Sequence, residues 1–298
     1  MKTGVVILNY NNAEDTISCI KSLYAHTPLE KIKVVVVDNG SNETTVTTIK
    51  EFISRYTPSV TLLETDKNLG YALGNNFGCQ YLYKDKNIDT IAIVNNDTIF
   101  IQDIITPLVE KLNTIPNCAI ISPLLLCKDG KTIDTNCARK AETLGQIFIS
   151  WALLFRNSFG ILSRIKNRRS MLPKRTFGEV LPIELPSGSC MVFRKSLFES
   201  IGSFDPNTFL YYEENILWEK IKALGLKNYI DTSVRLIHIG AATTSTKTPS
   251  ALVARSLVHS TRYFIKNYTE AGFIYRATME ILFCVFRLKI AIKTRLKK

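Results

Sequence analysis

Asp97 stands where a carboxylate could take part in chemistry. The apolar run Ile91–Val94 is followed directly by Asn95, Asn96 and Asp97, as expected of a buried strand that ends in polar side chains. Ligands bind at this carboxyl edge in open α/β sheets. A carboxylate and amide oxygens there can hold a hard divalent cation, which in turn binds phosphate oxygens. The alternative is a strand-end aspartate that only starts a turn or caps a helix.

Two earlier predicted strands end in polar side chains at the same edge. The first leads into Tyr10 and Asn11, and the second into Asp38. An aromatic ring there can stack on a nucleobase, and a carboxylate can accept a hydrogen bond from a base N–H. The alternatives are core packing for Tyr10 and a simple turn at Asp38.

Two further segments offer groups for binding and catalysis. Residues 68–78 read NLGYALGNNFG, and glycines at a loop–helix junction let backbone approach a ligand closely. This segment is neither a P-loop nor a complete dinucleotide fingerprint. Glu213 and Glu214 open a predicted helix, where the helix dipole stabilises acids by about 0.3–1 kcal/mol. That stabilisation does not explain the aromatic run Phe209–Tyr212 before them.

These residues need a scaffold, and the first 125 residues predict one by alternating strands with helices. Such alternation is typical of a parallel sheet with right-handed crossovers. The predicted strands are Val5–Leu8, Lys33–Val37, Val60–Leu63, Ile91–Val94 and Ala119–Ser122, and the predicted helices are Ala13–Tyr24, Thr44–Arg55, Tyr71–Tyr83 and Ile104–Leu112.

The second half of the chain has a less regular pattern. Residues 128–182 mix turn residues, an aromatic run and basic side chains, and we interpret them as a mobile or membrane-facing insertion. The tail from Pro249 is mostly helical in pattern. Between them we predict strands at Cys190–Arg194, Lys227–Ile230 and Val234–His238, and helices at Lys195–Ile201 and Glu213–Leu224.

The net charge of +12 is concentrated in two stretches. Residues 156–175 carry seven Lys or Arg and no acid, and residues 255–298 carry ten with two acids. Such local basicity indicates a surface that meets anions. Within the second stretch, Tyr275–Leu296 interleaves apolar and basic residues, which is typical of an interfacial helix on anionic lipid. The alternative is a terminal helix packed on the core with a solvated basic face.

The seven cysteines show neither a CxxC pair nor zinc-like spacing, which suits a reducing cytosol. The chain begins with a predicted strand instead of a signal peptide. No stretch reaches about 18 uncharged apolar residues, so we expect no membrane span.

Taken in order, these motifs resemble those of family 2 inverting glycosyltransferases, and most of all the bacterial rhamnosyltransferase-type enzymes of surface-polysaccharide assembly. The resemblance covers about residues 3–245. It rests on NYNN, VDNGS, NLGYALGNNFG, NNDT, SGSCMVFR, GSFD, FLYYEE and HIG. It implies an α/β, GT-A fold: a Rossmann-like, mostly parallel central sheet flanked by helices, with a C-terminal helical extension. Residues 1–245 would form the catalytic domain and residues 246–298 a membrane-associating region.

The resemblance also implies roles for individual residues. A nucleotide-diphosphate-sugar donor would be bound by Tyr10, Asn11, Asp38, Asn68, Gly70, Asn76, Asn96 and Gly188. Asp97, Asn95 and His238 would hold a divalent cation, Mn²⁺ or Mg²⁺, that offsets the charge of the departing diphosphate. Glu214 or Glu213 would be the general base. Two positions depart from the family pattern: Asn95 replaces an aspartate, and Ile216 replaces a third acid.

We therefore expect a metal-dependent sugar transferase that inverts the anomeric carbon. Its acceptor would be a glycan on a polyprenyl-diphosphate lipid, and it would work at the inner face of the bacterial plasma membrane, in O-antigen, capsule or other surface-polysaccharide synthesis. The alternatives are an inactive carbohydrate-binding relative and a nucleotidyltransferase, although the N-terminal loop lacks the basic glycine-rich pattern of the latter. The basic stretches fit a nucleic-acid binder less well, because no recognised binding motif accompanies them.

Overall fold

The protein is described by a computed structural model covering residues 2–57, 59–155, 169–172, 178–240 and 251–295. Its strands are β1 Lys2–Asn9, β2 Ile32–Asp38, β3 Thr61–Glu64, β4 Ile88–Asn95, β5 Thr98–Phe100, β6 Cys118–Leu126, β7 Ala138–Arg139, β8 Val180–Ile183, β9 Leu185–Pro186, β10 Cys190–Arg194 and β11 Lys227–His238. Its α-helices are α1 Ala13–His26, α2 Glu43–Tyr56, α3 Gly70–Tyr83, α4 Ile105–Thr114, α5 Leu144–Phe155, α6 Lys195–Ser200, α7 Glu213–Ala223, α8 Ala251–Tyr268 and α9 Phe273–Arg295.

One nine-stranded sheet organises the molecule, in the order β3-β2-β1-β4-β10-β6-β11-β5, with β8 beside β11. Strands β3, β2, β1 and β4 run parallel, so their carboxyl ends meet at one edge. There Asn9 pairs with Asp38, and Leu8 pairs with Asn95. The predicted α/β fold with a mostly parallel sheet is confirmed, and so is the shared edge.

Two antiparallel strands bring later parts of the chain to this edge. β10 pairs with β4 so that Cys190 lies opposite Val94, which places the preceding loop beside the end of β4. β11 pairs with β5 so that His238 lies opposite Thr98. Pairing of strands distant in sequence therefore gathers the motifs that the chain presents separately.

The core explains why the central strands are apolar throughout. Val5, Ile7, Val34 and Val36 face one apolar cluster, whereas their neighbours along each strand face a second cluster on the other side of the sheet. Helices cover both faces, as a parallel sheet requires. Gly78 lets α3 approach β1 closely, because a Cβ there would lie 2.6 Å from Cγ1 of Val6.

The structure corrects the predictions for two segments. The strands predicted at Lys227–Ile230 and Val234–His238 are one strand, β11, with a register shift between Asp231 and Arg235. The segment 128–182 contains β7, α5 and the start of β8, so its described parts include regular structure. Most of its basic residues lie outside the described residues: Arg156, Arg164, Lys166, Arg168, Lys174 and Arg175.

The C-terminal helices α8 and α9 pack together with α5 around a third apolar cluster. Trp151 of α5 makes edge-to-face contacts with Phe283 and Phe286 of α9, at ring-centroid distances of 4.7 and 5.3 Å. Ile216 of α7 is fully buried in the same cluster. One face of α9 is therefore a structural part of the protein, as the core-packing alternative predicts.

Candidate active site

Asp97 and His238 face each other at the carboxyl edge of the sheet. Asp97 follows β4, His238 ends β11, and Asp97 Oδ2 lies 3.5 Å from His238 Nε2. The backbone supports this pair, because Ile239 N–H donates to the carbonyl oxygen of Asp97 at 2.8 Å. Oδ1 of Asp97 is buried without a hydrogen-bond partner. The pair thus presents an unsatisfied carboxylate oxygen beside an imidazole.

The other side of the His238 ring meets Asp134, which the sequence analysis did not identify. Asp134 Oδ2 lies 3.7 Å from His238 Nδ1, and Ser189 Oγ lies 3.1 Å from Nε2. Burial alone would lower the pKa of His238, but the Asp134 and Asp97 carboxylates outweigh burial and raise that pKa to about 9. A carboxylate on the far nitrogen fixes an imidazole's tautomer and orientation in metal sites.

The donors at this position fit a cation that takes its other ligands from a substrate. Within the described ranges, no three His, Cys, Asp or Glu side chains form a complete metal-binding set. Asp97 and His238 supply two donors, and Asn95, two residues before Asp97, can supply an amide oxygen. Sites that bind a cation together with substrate phosphates need only one or two carboxylates from the protein. Oδ1 of Asp97, which has no hydrogen-bond partner, is available to bind such a cation.

Glu213 and Glu214 are neighbours in sequence but differ in environment. Glu214 keeps one-fifth of its side chain exposed, and its Oε1 accepts a hydrogen bond from Gly188 N–H at 3.1 Å. Glu213 is only 4% exposed, and its Oε1 has no hydrogen-bond partner. Burial, and then the adjacent Glu214 carboxylate, raise the pKa of Glu213 well above its ordinary value. Environments that separate two carboxyl groups in this way assign them different chemical roles.

The backbone immediately before this pair is strained. Tyr211 and Tyr212 have φ values of 75° and 70°, in the left-handed region that non-glycine residues rarely occupy. Tyr212 is held there by its ring contact with Phe264 of α8, at a centroid distance of 5.1 Å. Packing of α8 therefore helps to hold the start of α7 and its glutamates.

The loop 187–189 connects the two halves of the site. Gly188 N–H contacts Glu214, and the next residue, Ser189, contacts His238. The hydroxyl of Tyr71 also holds the loop in place, because it donates a hydrogen bond to the carbonyl oxygen of Gly188 at 2.7 Å. A carboxylate suited to accept a proton and a histidine–aspartate pair suited to hold a cation thus lie on either side of one short loop.

The residues expected to bind the nucleobase differ in exposure: the Tyr10 ring is exposed, whereas Asp38 is buried. Tyr10 is 38% exposed, so its ring is free to stack. Asp38 is 1% exposed, and its two oxygens accept hydrogen bonds from Asn9 Nδ2 at 2.7 Å and Ser41 N–H at 3.0 Å. Asn11 accepts a hydrogen bond from Asn42 N–H at 2.9 Å. In this structure Asp38 therefore orders the loops around Tyr10.

Several other predicted binding residues also make contacts within the protein. Asn76 receives Phe204 N–H on its amide oxygen and donates to Phe204 O at 2.9 Å. Gly70, with φ of 81°, is required because a Cβ would lie 2.2 Å from the carbonyl oxygen of Phe209. Asn68 Oδ1 accepts a hydrogen bond from Gly70 N–H at 2.8 Å, and Asn96 Nδ2 donates one to Thr16 Oγ1 at 3.0 Å.

Comparison with solved structures defines the class of fold. GalNAc-T7 with UDP, GalNAc and Mn²⁺ superposes with a TM-score of 0.64 at 17% identity, over 89% of this chain and 47% of that chain. The mannosyltransferase PcManGT from Pyrobaculum calidifontis, with GDP-Man and Mn²⁺, gives 0.56 at 15% identity, over 98% and 73%. The protein has a GT-A fold with a C-terminal helical region.

The sequence identifies the family within that class. The family model for glycosyl transferase family 2 matches residues 4–202, and the chain belongs to this family.

Two named relatives are similar to the chain in sequence. The low-salt glycan biosynthesis hexosyltransferase Agl10 of Haloferax volcanii is 28% identical over 211 residues, which span 71% of this chain and 58% of the relative. The N-acetylglucosaminyl-diphospho-decaprenol L-rhamnosyltransferase of Mycobacterium tuberculosis is 26% identical over 251 residues, which span 81% and 76%.

Proposed function

We propose that this protein transfers a sugar from a nucleotide-diphosphate-sugar to a lipid-linked glycan, with inversion at the anomeric carbon, in the synthesis of a cell-surface polysaccharide. One observation carries the proposal: adjacent residues, Gly188 and Ser189, contact Glu214 and His238. A proton acceptor and a diphosphate-binding position are thereby brought within reach of one substrate. The acceptor class is suggested by the mycobacterial relative, whose name specifies a diphospho-decaprenol.

Glu214 is the general base in this mechanism. Its carboxylate takes the proton from the acceptor hydroxyl as that oxygen attacks the anomeric carbon, a contribution of typically about 10²–10⁴-fold in rate. The hydrogen bond from Gly188 orients the carboxylate. Attack from the face opposite the diphosphate is a single displacement and needs no protein nucleophile. Glu213, buried behind the site with a raised pKa, stays protonated and leaves the charge on Glu214.

Asp97, His238 and Asn95 would hold a divalent cation beside the diphosphate of the donor. A bound Mn²⁺ or Mg²⁺ would supply Lewis-acid stabilisation of the departing diphosphate there. The solved relatives GalNAc-T7 and PcManGT both carry Mn²⁺. Asp134 keeps Nε2 of His238 directed toward Asp97. Tyr10, whose ring is exposed at the same edge of the sheet, stacks on the nucleobase of the donor.

Helix α9 provides a surface for an anionic membrane. Its outward side carries an apolar stripe, Ile274, Ile281, Leu288 and Ile292, whose side chains are 81%, 64%, 62% and 50% exposed. Arg276 and Arg287 are exposed beside it. Apolar side chains flanked by arginines suit the interface of a bilayer with anionic headgroups. None of the helices in the described parts of the chain has the length and apolar character to cross a membrane.

A donor screen tests the proposal. Thermal shift with a panel of UDP-, GDP- and dTDP-sugars, with and without Mn²⁺ or Mg²⁺, identifies the donor, and turnover is then measured with a polyprenyl-diphosphate-linked glycan. We expect stabilisation by one class of donor that depends on the cation, followed by transfer. Binding without transfer or donor hydrolysis would identify an inactive carbohydrate-binding relative instead.

A further inference from the structure

Arg139 places a positive charge beside the proposed base. It lies on β7, which pairs with β9 immediately before the 187–189 loop; Arg139 is opposite Leu185. Its side chain is 25% exposed, and Nη2 lies 4.0 Å from Oε1 of Glu214. The segment containing Asp134 and Arg139 thus runs along the loop and meets both halves of the site, because Asp134 contacts His238.

The guanidinium of Arg139 has unused hydrogen-bonding capacity. Its Nε is buried and has no hydrogen-bond partner, and among the described residues the group meets an acid only through the long contact with Glu214. A buried donor without a partner pays a desolvation penalty that native proteins rarely leave uncompensated. This pattern is expected when the missing partner is a ligand.

Arg169, in the same part of the molecule, shows what a structural arginine looks like here. It is 7% exposed, pairs with Glu142 at 2.6 Å, and donates from Nε and Nη2 to the carbonyl oxygen of Lys140. Arg169 therefore fixes the backbone immediately after Arg139. The Arg139 side chain, whose Nε has no partner, therefore extends from a segment that is itself held in place.

The distance to Glu214 argues against a role limited to orienting the base. At 4.0 Å the two groups attract each other, but the contact is longer than a hydrogen bond. Glu214 already receives its orienting hydrogen bond from Gly188. The five N–H donors of a guanidinium match the oxygens of a phosphate in a bidentate arrangement.

We propose that Arg139 binds a phosphate oxygen of a substrate diphosphate. This inference rests on the proposed function, which brings two diphosphates to the site: that of the nucleotide-sugar donor and that of the lipid-linked acceptor. In both substrates the diphosphate is esterified at both ends, so the same arginine could bind either one. The experiment below distinguishes the donor from the acceptor.

Binding titrations on the full chain test the assignment independently of turnover. Arg139→Gln removes the charge, Arg139→Lys keeps the charge without the planar fork, and Lys140→Gln removes one charge from the exposed neighbouring side chain as a matched control. Each variant is titrated with UDP, GDP and dTDP in the presence of Mn²⁺, with the matching nucleosides, and with a farnesyl-diphosphate-linked sugar. Melting temperatures confirm that each variant is folded.

We expect Arg139→Gln to weaken the binding of one diphosphate probe by at least about 10-fold, which corresponds to the loss of one charge-assisted hydrogen bond. The affinity of Arg139→Lys for that probe should lie between those of Arg139→Gln and the wild type, and the affinity of Lys140→Gln should match that of the wild type. Loss confined to the nucleoside diphosphates, with nucleoside binding retained, assigns Arg139 to the donor, and loss confined to the lipid probe assigns it to the acceptor. If folded Arg139→Gln binds all probes within twofold of the wild type, the assignment is overturned. A wild type that binds these probes but transfers no sugar contradicts the proposed function alone.

Discussion

The backbone amide of Gly188 donates a hydrogen bond to Oε1 of Glu214 at 3.1 Å, across 26 residues of sequence. The contact is tight, because a Cβ added at Gly188 would lie 2.9 Å from Tyr71 Oη and 3.1 Å from Glu214 Oε1. Glycine at this position was expected to contact the nucleotide-sugar. In the structure it leaves room for the proposed base, and its contact with the nucleotide-sugar stays a prediction.

Gly188→Ala should therefore lower kcat more than it weakens donor binding. The added methyl group displaces either the Tyr71 hydroxyl or the Glu214 carboxylate, and a shift of about 1 Å in a catalytic group can cost about 10²-fold. Steady-state kinetics with donor and acceptor varied separately measure the effect. Unchanged kcat would show that the Glu214 carboxylate does not need this position.

Glu214→Gln should reduce turnover by about 10²–10⁴-fold while donor binding is retained, since the amide cannot accept the proton. Glu213→Gln should keep most of the activity, because glutamine resembles the protonated form that burial favours. Both variants are compared by kcat and by calorimetric titration of the donor. If Glu213→Gln is the inactive variant, the roles of the two residues are reversed.

The buried Glu213 also predicts how stability depends on pH. Its pKa is raised to about 8 in the folded protein, whereas an unfolded glutamate titrates near 4.3. Between these values the folded state binds more protons at this group, so its contribution to the free energy of unfolding falls as the pH rises. In urea unfolding from pH 5 to pH 8.5, the free energy of unfolding of Glu213→Gln should rise progressively relative to that of the wild type. A constant difference between the proteins would contradict the raised pKa.

Asp97→Ala should strongly reduce cation-dependent transfer and leave the fold intact. The variant removes a carboxylate oxygen that has no partner within the protein, while the backbone contact with Ile239 remains. Loss of one ligand should cost several kcal/mol of transition-state stabilisation, or about 10³-fold in kcat. Mn²⁺ binding followed by electron paramagnetic resonance and the melting temperature are measured together, with the exposed Asp66→Ala as control. Activity that survives and resists chelators would exclude the metal role.

The outward stripe of α9 predicts membrane binding that is separable from folding. Replacing Ile281 and Leu288 by serine should weaken binding to anionic vesicles by at least about 10-fold, because burying such a side chain contributes about 1.5–3 kcal/mol. High salt should weaken wild-type binding as well. The control in the co-sedimentation assay is Leu224→Ser, which removes a leucine of similar exposure, 55%, immediately after α7.

If the double variant pellets as well as the wild type, α9 does not dock the protein to the membrane. Substitution is a sharper test than deletion of residues 275–298, because deletion would also uncover Trp151, which packs on Phe283 and Phe286.

Much of the fold and half of the candidate site could be predicted from local pattern. Asp97, Tyr10 and Asp38 follow apolar runs, and the rule that parallel strands share a carboxyl edge predicts that they meet. Glu214 was proposed as the base through its motif, and that role stays a prediction. Asp134 and Arg139 carried no such signal, because their segment has no clear period and each contacts a residue at least 75 positions away.

By itself, the sequence determined the alternation of strands and helices, and with it which side chains end each strand, since these depend on the spacing of residues along one short stretch. Only the tertiary structure decided which polar groups remain available to a substrate. Asn76 is satisfied by Phe204, 128 residues away, and Asp38 by Asn9, whereas Asp97 and Arg139 each retain a buried atom without a partner. Hydrogen-bonding capacity is used up by neighbours in space, so this distinction depends on contacts that no local pattern encodes.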